Sequence, residues 1–344
     1  MISWALIAEH PLPNLLAAAL VVALNAYVLL GGADFGGGVW DLLASGPRRQ
    51  QQRALIADAI GPIWEANHVW LILVIVLLFT GFPAAFARLT TVLHIPLLLM
   101  LVGIVLRGSA FTFRSYDSRR DAVQRRWGRV FAIASAVTPM LLGIVIGAIA
   151  SDAVRDPAAL GSASFVDVYV RSWLSPFTVG VGALALALFA FLAAVYLTLE
   201  ATDDALREDF RRRALGAAGA VFLVAFLDLY LAASGAPRLG AVLTAGPLAW
   251  ALHAATAAVA IGAIVALAWR WYRAARLCAA AQVSLILWGW AAAQFPLLVP
   301  PDMTIAGSAA PAPTLELLLA ALVAGFVVLA PSLWYLFRVF KARA

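Results

Sequence analysis

Cysteine occurs once in the 344 residues, at Cys278. A single cysteine excludes an internal disulfide framework and a cysteine-based metal or cluster site. Charge is also scarce. Asp, Glu, Lys and Arg make up 12% of the chain, against about 25% in an ordinary soluble domain. That is too little polar surface to keep a globule in water. No polar stretch exceeds about 30 residues, well short of the smallest ordinary domains, so 1–344 reads as one polytopic membrane domain. Histidine is confined to His10, His68, His94 and His253, with no paired spacing. Haem ligation needs axial side chains projecting within a bundle, so these positions point to hydrogen bonding and away from metal. The start, Met1-Ile2-Ser3-Trp4, lacks a basic n-region and a small-residue cleavage site, so the first hydrophobic segment is expected to be retained.

Apolar residues, in contrast, make up 64% of the chain. They come in runs of about 20, the length that crosses a hydrocarbon core about 30 Å thick. Hydropathy predicts an all-α integral membrane fold with nine helices over 14–33, 62–80, 91–110, 129–150, 176–199, 214–235, 248–270, 277–295 and 315–337. Of the 24 Lys and Arg residues, only Arg88, Arg155, Arg171 and Arg238 fall on one side of these spans. The positive-inside rule then puts the N-terminus outside and the C-terminus in the cytoplasm. This asymmetry also accounts for the net charge of +6, and no nucleic-acid partner is called for.

Two motifs stand out against this apolar background. The first, Gly31-Gly32-Ala33-Asp34-Phe35-Gly36-Gly37-Gly38, is expected to close the first helix. Gly32 and Gly36 form a small-xxx-small pair that lets a neighbouring backbone approach. A nucleotide loop fits poorly, because no strand precedes it and no phosphate-binding lysine follows. Asp34 needs a partner or water at a membrane boundary. The second motif runs from Asp58 through Pro62, Trp64, Glu65, Asn67 and His68 to Trp70. Pro62 suits a first helical turn, where the helix dipole also favours the Glu65 carboxylate. Trp64 and Trp70 read as interfacial anchors or packing residues. Four polar side chains this close to an apolar run fit a polar relay as well as a capped helix start. Arg107, Arg114 and Asp117 are expected at the same depth as Asp34 and Glu65, as ion-pair candidates. Asp228 and His253 match in depth near the outer side and are expected to pair.

At these residues the chain resembles subunit II of the cytochrome bd family of quinol oxidases. The resemblance rests on Gly32 through Gly38 and Trp64-Glu65-Ala66-Asn67-His68-Val69-Trp70. It extends to Leu106-Arg107-Gly108 through Phe113-Arg114-Ser115, and to Gln294-Phe295-Pro296 through Pro300-Pro301-Asp302-Met303-Thr304. The motifs are weak singly and specific in their joint order, and they span nearly the whole chain. The resemblance implies two four-helix bundles plus a peripheral helix in the bacterial cytoplasmic (inner) membrane. It implies a haem-bearing subunit I as partner, with a small single-helix accessory subunit as a further candidate. That partner would hold b-type haems with either haem d or a further haem b; this chain would ligate no haem or metal. The complex would oxidise quinol and reduce dioxygen to water, with lipids and quinol as its small-molecule partners. Position 65 would belong to a cytoplasmic proton path, with Asp34, Asp58, Asn67 and His68 as companion candidates.

The sequence departs from many members at Glu65, where Asp is frequent, and at Ala66-Asn67-His68, where Gly-Asn-Gln is frequent. Its Gln-Phe-Pro and Pro-Pro-Asp-Met-Thr pattern is closer to the branch described as cyanide-insensitive. Two other readings compete: a secondary transporter, which also uses glycines and membrane carboxylates, and an architectural subunit that carries no proton.

Overall fold

The computed structural model describes residues 8–61, 64–116 and 121–341. Within them the chain is helical except for short loops and one small hairpin. The elements are α1 (Pro11–Leu42), α2 (Arg49–Ile60), α3 (Trp64–Gly81), α4 (Pro83–Val92), α5 (His94–Tyr116) and α6 (Asp121–Ala150). Then follow α7 (Phe165–Tyr169), α8 (Pro176–Glu200), α9 (Asp204–Gly235), α10 (Pro237–Thr244), α11 (Pro247–Ala268) and α12 (Tyr272–Gln294). Strands β1 (Leu297–Val299) and β2 (Met303–Thr304) pair antiparallel before the last helix, α13 (Ala312–Lys341). Nine of the helices, among the described residues, are long and apolar enough to span a membrane. Pro62, Asp117, Arg119, Arg120 and Arg343 lie outside the described residues, as does the side chain of Arg114.

Local sequence sets several boundaries. Pro176 opens α8 behind a capping box in which Ser175 accepts from the Thr178 amide and the Thr178 hydroxyl accepts from the Ser175 amide, satisfying two donors that a helix start leaves free. Asp203 caps α9 by accepting from the Leu206 amide. That helix begins ten residues before the apolar run predicts. The extra turns are charged and are held by Arg207–Asp204, Arg211–Glu208 and Arg212–Glu208 pairs at helical spacing. Hydropathy cannot see such a segment, but i,i+3 and i,i+4 ion pairs support it.

The largest difference from the sequence reading is in α1, which does not end at the glycine cluster but runs through it to Leu42. The glycines serve contact here, not termination. A Cβ on Gly32 would lie 2.7 Å from the Phe189 ring, and one on Gly36 would collide with the Phe189 backbone carbonyl. One on Gly38 would collide with Ser135. Bare helix surface at these positions lets α8 and α6 close on α1. The central helix α1 therefore packs against α3, α6 and α8 and also touches α2, α12 and α13. Its C-terminal part is buried almost continuously from Gly31 to Asp41, taking in Asp34, Phe35 and Trp40.

The connections before α8 and before α13 are also structured. The segment between α12 and α13 carries the β hairpin, which packs against α4. Arg88 of α4 reaches Asp302 at 3.4 Å and Asp156 at 3.2 Å, tying both loops to one guanidinium.

Candidate functional site

The polar residues of the two motifs converge where α1, α3, α5 and α6 meet. Asp34 projects from α1 and is 4% exposed. The side-chain amide of Asn67, in the first turns of α3, donates a hydrogen bond to its carboxylate. Arg107 enters from α5 and is 1% exposed, the largest fully buried side chain. Its guanidinium lies 4.6 Å from the Phe35 ring centroid and 5.3 Å from that of Phe131. Its Nε donates to Ser135 Oγ at 3.2 Å, and Asp34 and Tyr27 are its electrostatic neighbours. A buried guanidinium needs compensation. Here two aromatic faces, a hydroxyl and a nearby carboxylate supply it.

His68 sits half-buried among the rings of Tyr27, Phe35 and Trp64, with centroid separations of 6.1, 6.1 and 6.2 Å. Its Nδ1 and the Nη2 of Arg107 are buried without a hydrogen-bond partner among the described residues. Such atoms mark a place suited to internal water. Trp64 lies over Gly108 and packs on Phe111 at 6.0 Å. Trp70 packs into the core further along α3. Sequence spacing missed Tyr27, Phe35, Phe131 and Ser135. Tyr27 was detectable, since it precedes Asp34 by seven residues and so shares its helix face.

Not every candidate joins the cluster. Glu65 is exposed on the outward side of α3 and, among the described residues, makes no hydrogen bond or ion pair. Below it the same face carries exposed Val69, Ile72, Val76 and Phe79, a 4-3-4-3 spacing that repeats like a packing seam. Asp58 is exposed on α2 and stays apart.

Asp228 and His253 do not pair. His253 Nε2 bonds to the Leu243 carbonyl at 2.8 Å, at the end of α10. Asp228 faces α8 instead, where its carboxylate fills the space left by Gly180. Matched depth fixed neither face, and the expected coupling between the two side chains has no contact to carry it. His94 Nδ1 likewise meets the Thr91 carbonyl at 2.9 Å. Among the described residues no group of three or more His, Cys, Asp or Glu gathers as a metal site.

Nine apolar spans among the described residues, four of them enclosing a buried carboxylate, amide and guanidinium, define a multi-pass membrane protein with a polar cluster near one end of its central helix. A family model described as "Cytochrome bd terminal oxidase subunit II" matches residues 12–340. The chain belongs to that family, and it is a multi-pass protein of the bacterial cytoplasmic membrane. It is 31% identical over 136 residues, 40% of this chain and 38% of the relative, to the Cytochrome bd ubiquinol oxidase subunit 2 of Bacillus subtilis (strain 168). It is 25% identical over 192 residues, 53% of this chain and 47% of the relative, to the Cytochrome bd-I ubiquinol oxidase subunit 2 of Escherichia coli (strain K12). The aligned segments thus span less than half the length of these relatives. In fold the chain is similar to a chain in the structure of bd oxidase from Geobacillus thermodenitrificans, with a TM-score of 0.78 and 22% identity over 97% of this chain and 100% of that one.

Proposed function

We propose that the chain is the subunit II partner in a bd-type quinol oxidase that couples quinol oxidation to reduction of dioxygen to water. The observation that carries this reading is the family match over 12–340, and a buried polar cluster in so apolar a protein is in keeping with it. The haem-bearing subunit I would supply the redox chemistry, with its haems passing electrons from quinol to dioxygen. This chain's part is to seat that partner and to hold protons near the cytoplasmic side. Non-ligation is supported by the histidines: His94 and His253 each engage a backbone carbonyl, and His68 is walled by three rings. The outward face of α3, with Glu65 above Val69, Ile72, Val76 and Phe79, suits the partner's seat.

Purifying the complex through a tag on this chain tests the assignment. The expected result is a co-purifying haem protein with quinol-driven oxygen consumption, and its reduced spectrum would distinguish haem d from b-type haems alone. A monomeric, haem-free and inactive preparation from cells respiring through this complex would overturn it.

The same proposal includes two bundles, one of α1, α3, α5 and α6 and one of α8, α9, α11 and α12, with α13 peripheral. The peripheral place of α13 is supported by its contacts, which among the described residues are mainly to α1 and α3. It also includes an external N-terminus. Three of the four basic residues on the outer side are paired with carboxylates, Arg88 with Asp156 and Asp302, Arg171 with Asp167, and Arg238 with Asp152, while Arg155 donates to the Asp152 carbonyl. A reporter active only in the cytoplasm, fused after Ala344, should give signal. A silent but well-expressed fusion would reverse the orientation.

A further inference from the structure

We propose that Asp41 and Arg53 form a second cytoplasmic mouth for protons, kept shut by Ile60. The inference rests on the proposed proton-holding role of this chain, with Asp34 as the buried carboxylate that serves it. Asp34, Gly37 and Asp41 fall at i, i+3 and i+7 of α1, so they share one helix face. Asp41 is 1% exposed. Arg53 of α2 covers it, with Nε 3.8 Å from Oδ1 and with Nε and Nη2 donating to the Asp41 carbonyl at 3.3 and 3.2 Å. The Arg53 side chain is itself 26% exposed, so the guanidinium joins the buried carboxylate to the cytoplasmic water.

Arg53 caps a carbonyl in the last turn of α1, but its approach to the buried carboxylate is not needed to hold α2, which is already tethered. Arg48 and Gln52 bind Asp209 of α9 at 2.6 and 2.9 Å, and Arg213 donates to Gln52 at 2.7 Å. The hydrogen bond from Arg48 to Asp209 holds that guanidinium above its ordinary pKa, as expected of a firm pair. A buried carboxylate beside such an anchored helix is a functional candidate by default.

Between Asp41 and Asp34, about 10 Å apart along the helix axis, the face is stopped with hydrocarbon. Ile60 Cδ1 lies 2.6 Å from where a Cβ on Gly37 would stand, and Ile56 Cγ2 lies 3.5 Å from it. Both isoleucines are almost fully buried. On the far side are Asp34, Asn67, and the unpartnered Arg107 Nη2 and His68 Nδ1. Two groups of buried polar side chains are thus separated by Ile60, seated on Gly37 with Ile56 beside it. An apolar seal of this kind holds no water and passes no proton, so protons reach Asp34 past the start of α3 while Ile60 insulates it from the nearer mouth.

The test is turnover of the assembled complex carrying Glu65→Gln, alone and with Ile60→Ala. The double variant is expected to consume oxygen at least about threefold faster than Glu65→Gln alone, a partial return of the roughly 10²–10⁴-fold contribution of a positioned acid–base group. Adding Asp41→Asn should remove that gain. No gain, or a gain indifferent to Asp41→Asn, overturns the proposal; the haem spectrum verifies assembly, and Ile60→Val replaces Ile60→Ala if the latter fails to assemble. Should Glu65→Gln alone turn over normally, it is the role of Glu65 that fails. The seal is then read separately in Cys278→Ser/Asp34→Cys complexes, where a water-soluble thiol reagent added from the cytoplasmic side should label position 34 only when Ile60 is truncated. Labelling that ignores Ile60 overturns the seal.

Discussion

Glu65→Gln is expected to leave the complex assembled with an unchanged haem spectrum and to slow quinol-driven oxygen consumption at least about tenfold, a conservative figure beside the roughly 10²–10⁴-fold effects of acid–base groups. Reducing dioxygen to water consumes protons, and an apolar interior delivers none without titratable groups or ordered water. Glu65 stands in the first turn of α3 at the head of an exposed apolar stripe. Docking of the partner along that stripe would bring the carboxyl to the joint surface of the two subunits, between the cytoplasm and the buried Asp34–Asn67 pair. Gln keeps the shape and the hydrogen-bonding capacity but cannot titrate, whereas Glu65→Asp keeps a titrating group and should retain far more activity. If Glu65 merely caps its helix or seats the partner, the Gln variant should respire like the unmodified complex. Oxygen-electrode rates on matched haem content decide between the two.

The nine spans were legible because hydropathy reports depth, and depth is what a run of about 20 apolar residues encodes. Facing was far less legible. Asp228 and His253 share a depth, yet one faces Gly180 of α8 and the other a carbonyl at the end of α10. Glu65 and Asn67 are two residues apart on one helix, and the first is exposed while the second is buried against Asp34. Which face meets which neighbour depends on the packing of four helices at once, and no local pattern carries that. The glycine cluster misled for a related reason. Glycine weakens an isolated helix, but here the close approach of Phe189 and Ser135 outweighs the propensity and the helix continues. Arg107 and Asp34 were legible as partners in depth. The rings of Phe35 and Phe131 that hold the guanidinium were not, since nothing in their spacing distinguishes them from ordinary core.

Arg107→Met should be the most damaging single change in the cluster, destabilising the chain by up to about 3–5 kcal/mol, the scale of leaving a buried charge without its opposite-charge neighbour. Met keeps much of the apolar volume between Phe35 and Phe131, so the loss would come from charge and hydrogen bonding and not from a cavity. The Asp34 carboxylate would be left with the Asn67 amide but without its buried guanidinium neighbour. Two variants separate the contributions. Arg107→Lys keeps the charge and gives up the flat stacking surface, worth about 0.5–2 kcal/mol for a cation on an aromatic face. Its smaller loss would measure the ring contacts. Asp34→Asn in the Arg107→Met background removes the stranded charge, and it should recover a substantial part of the stability because both halves of the pair are then neutral. The measurement is the thermal midpoint of the detergent-solubilised complex, together with the fraction of chain that assembles. Recovery in the double variant would mean that Arg107 is retained to keep Asp34 charged inside the membrane. A single variant that melts like the unmodified complex would mean that Asp34 is already neutral there, and the guanidinium would then be held by Ser135 and the two rings alone.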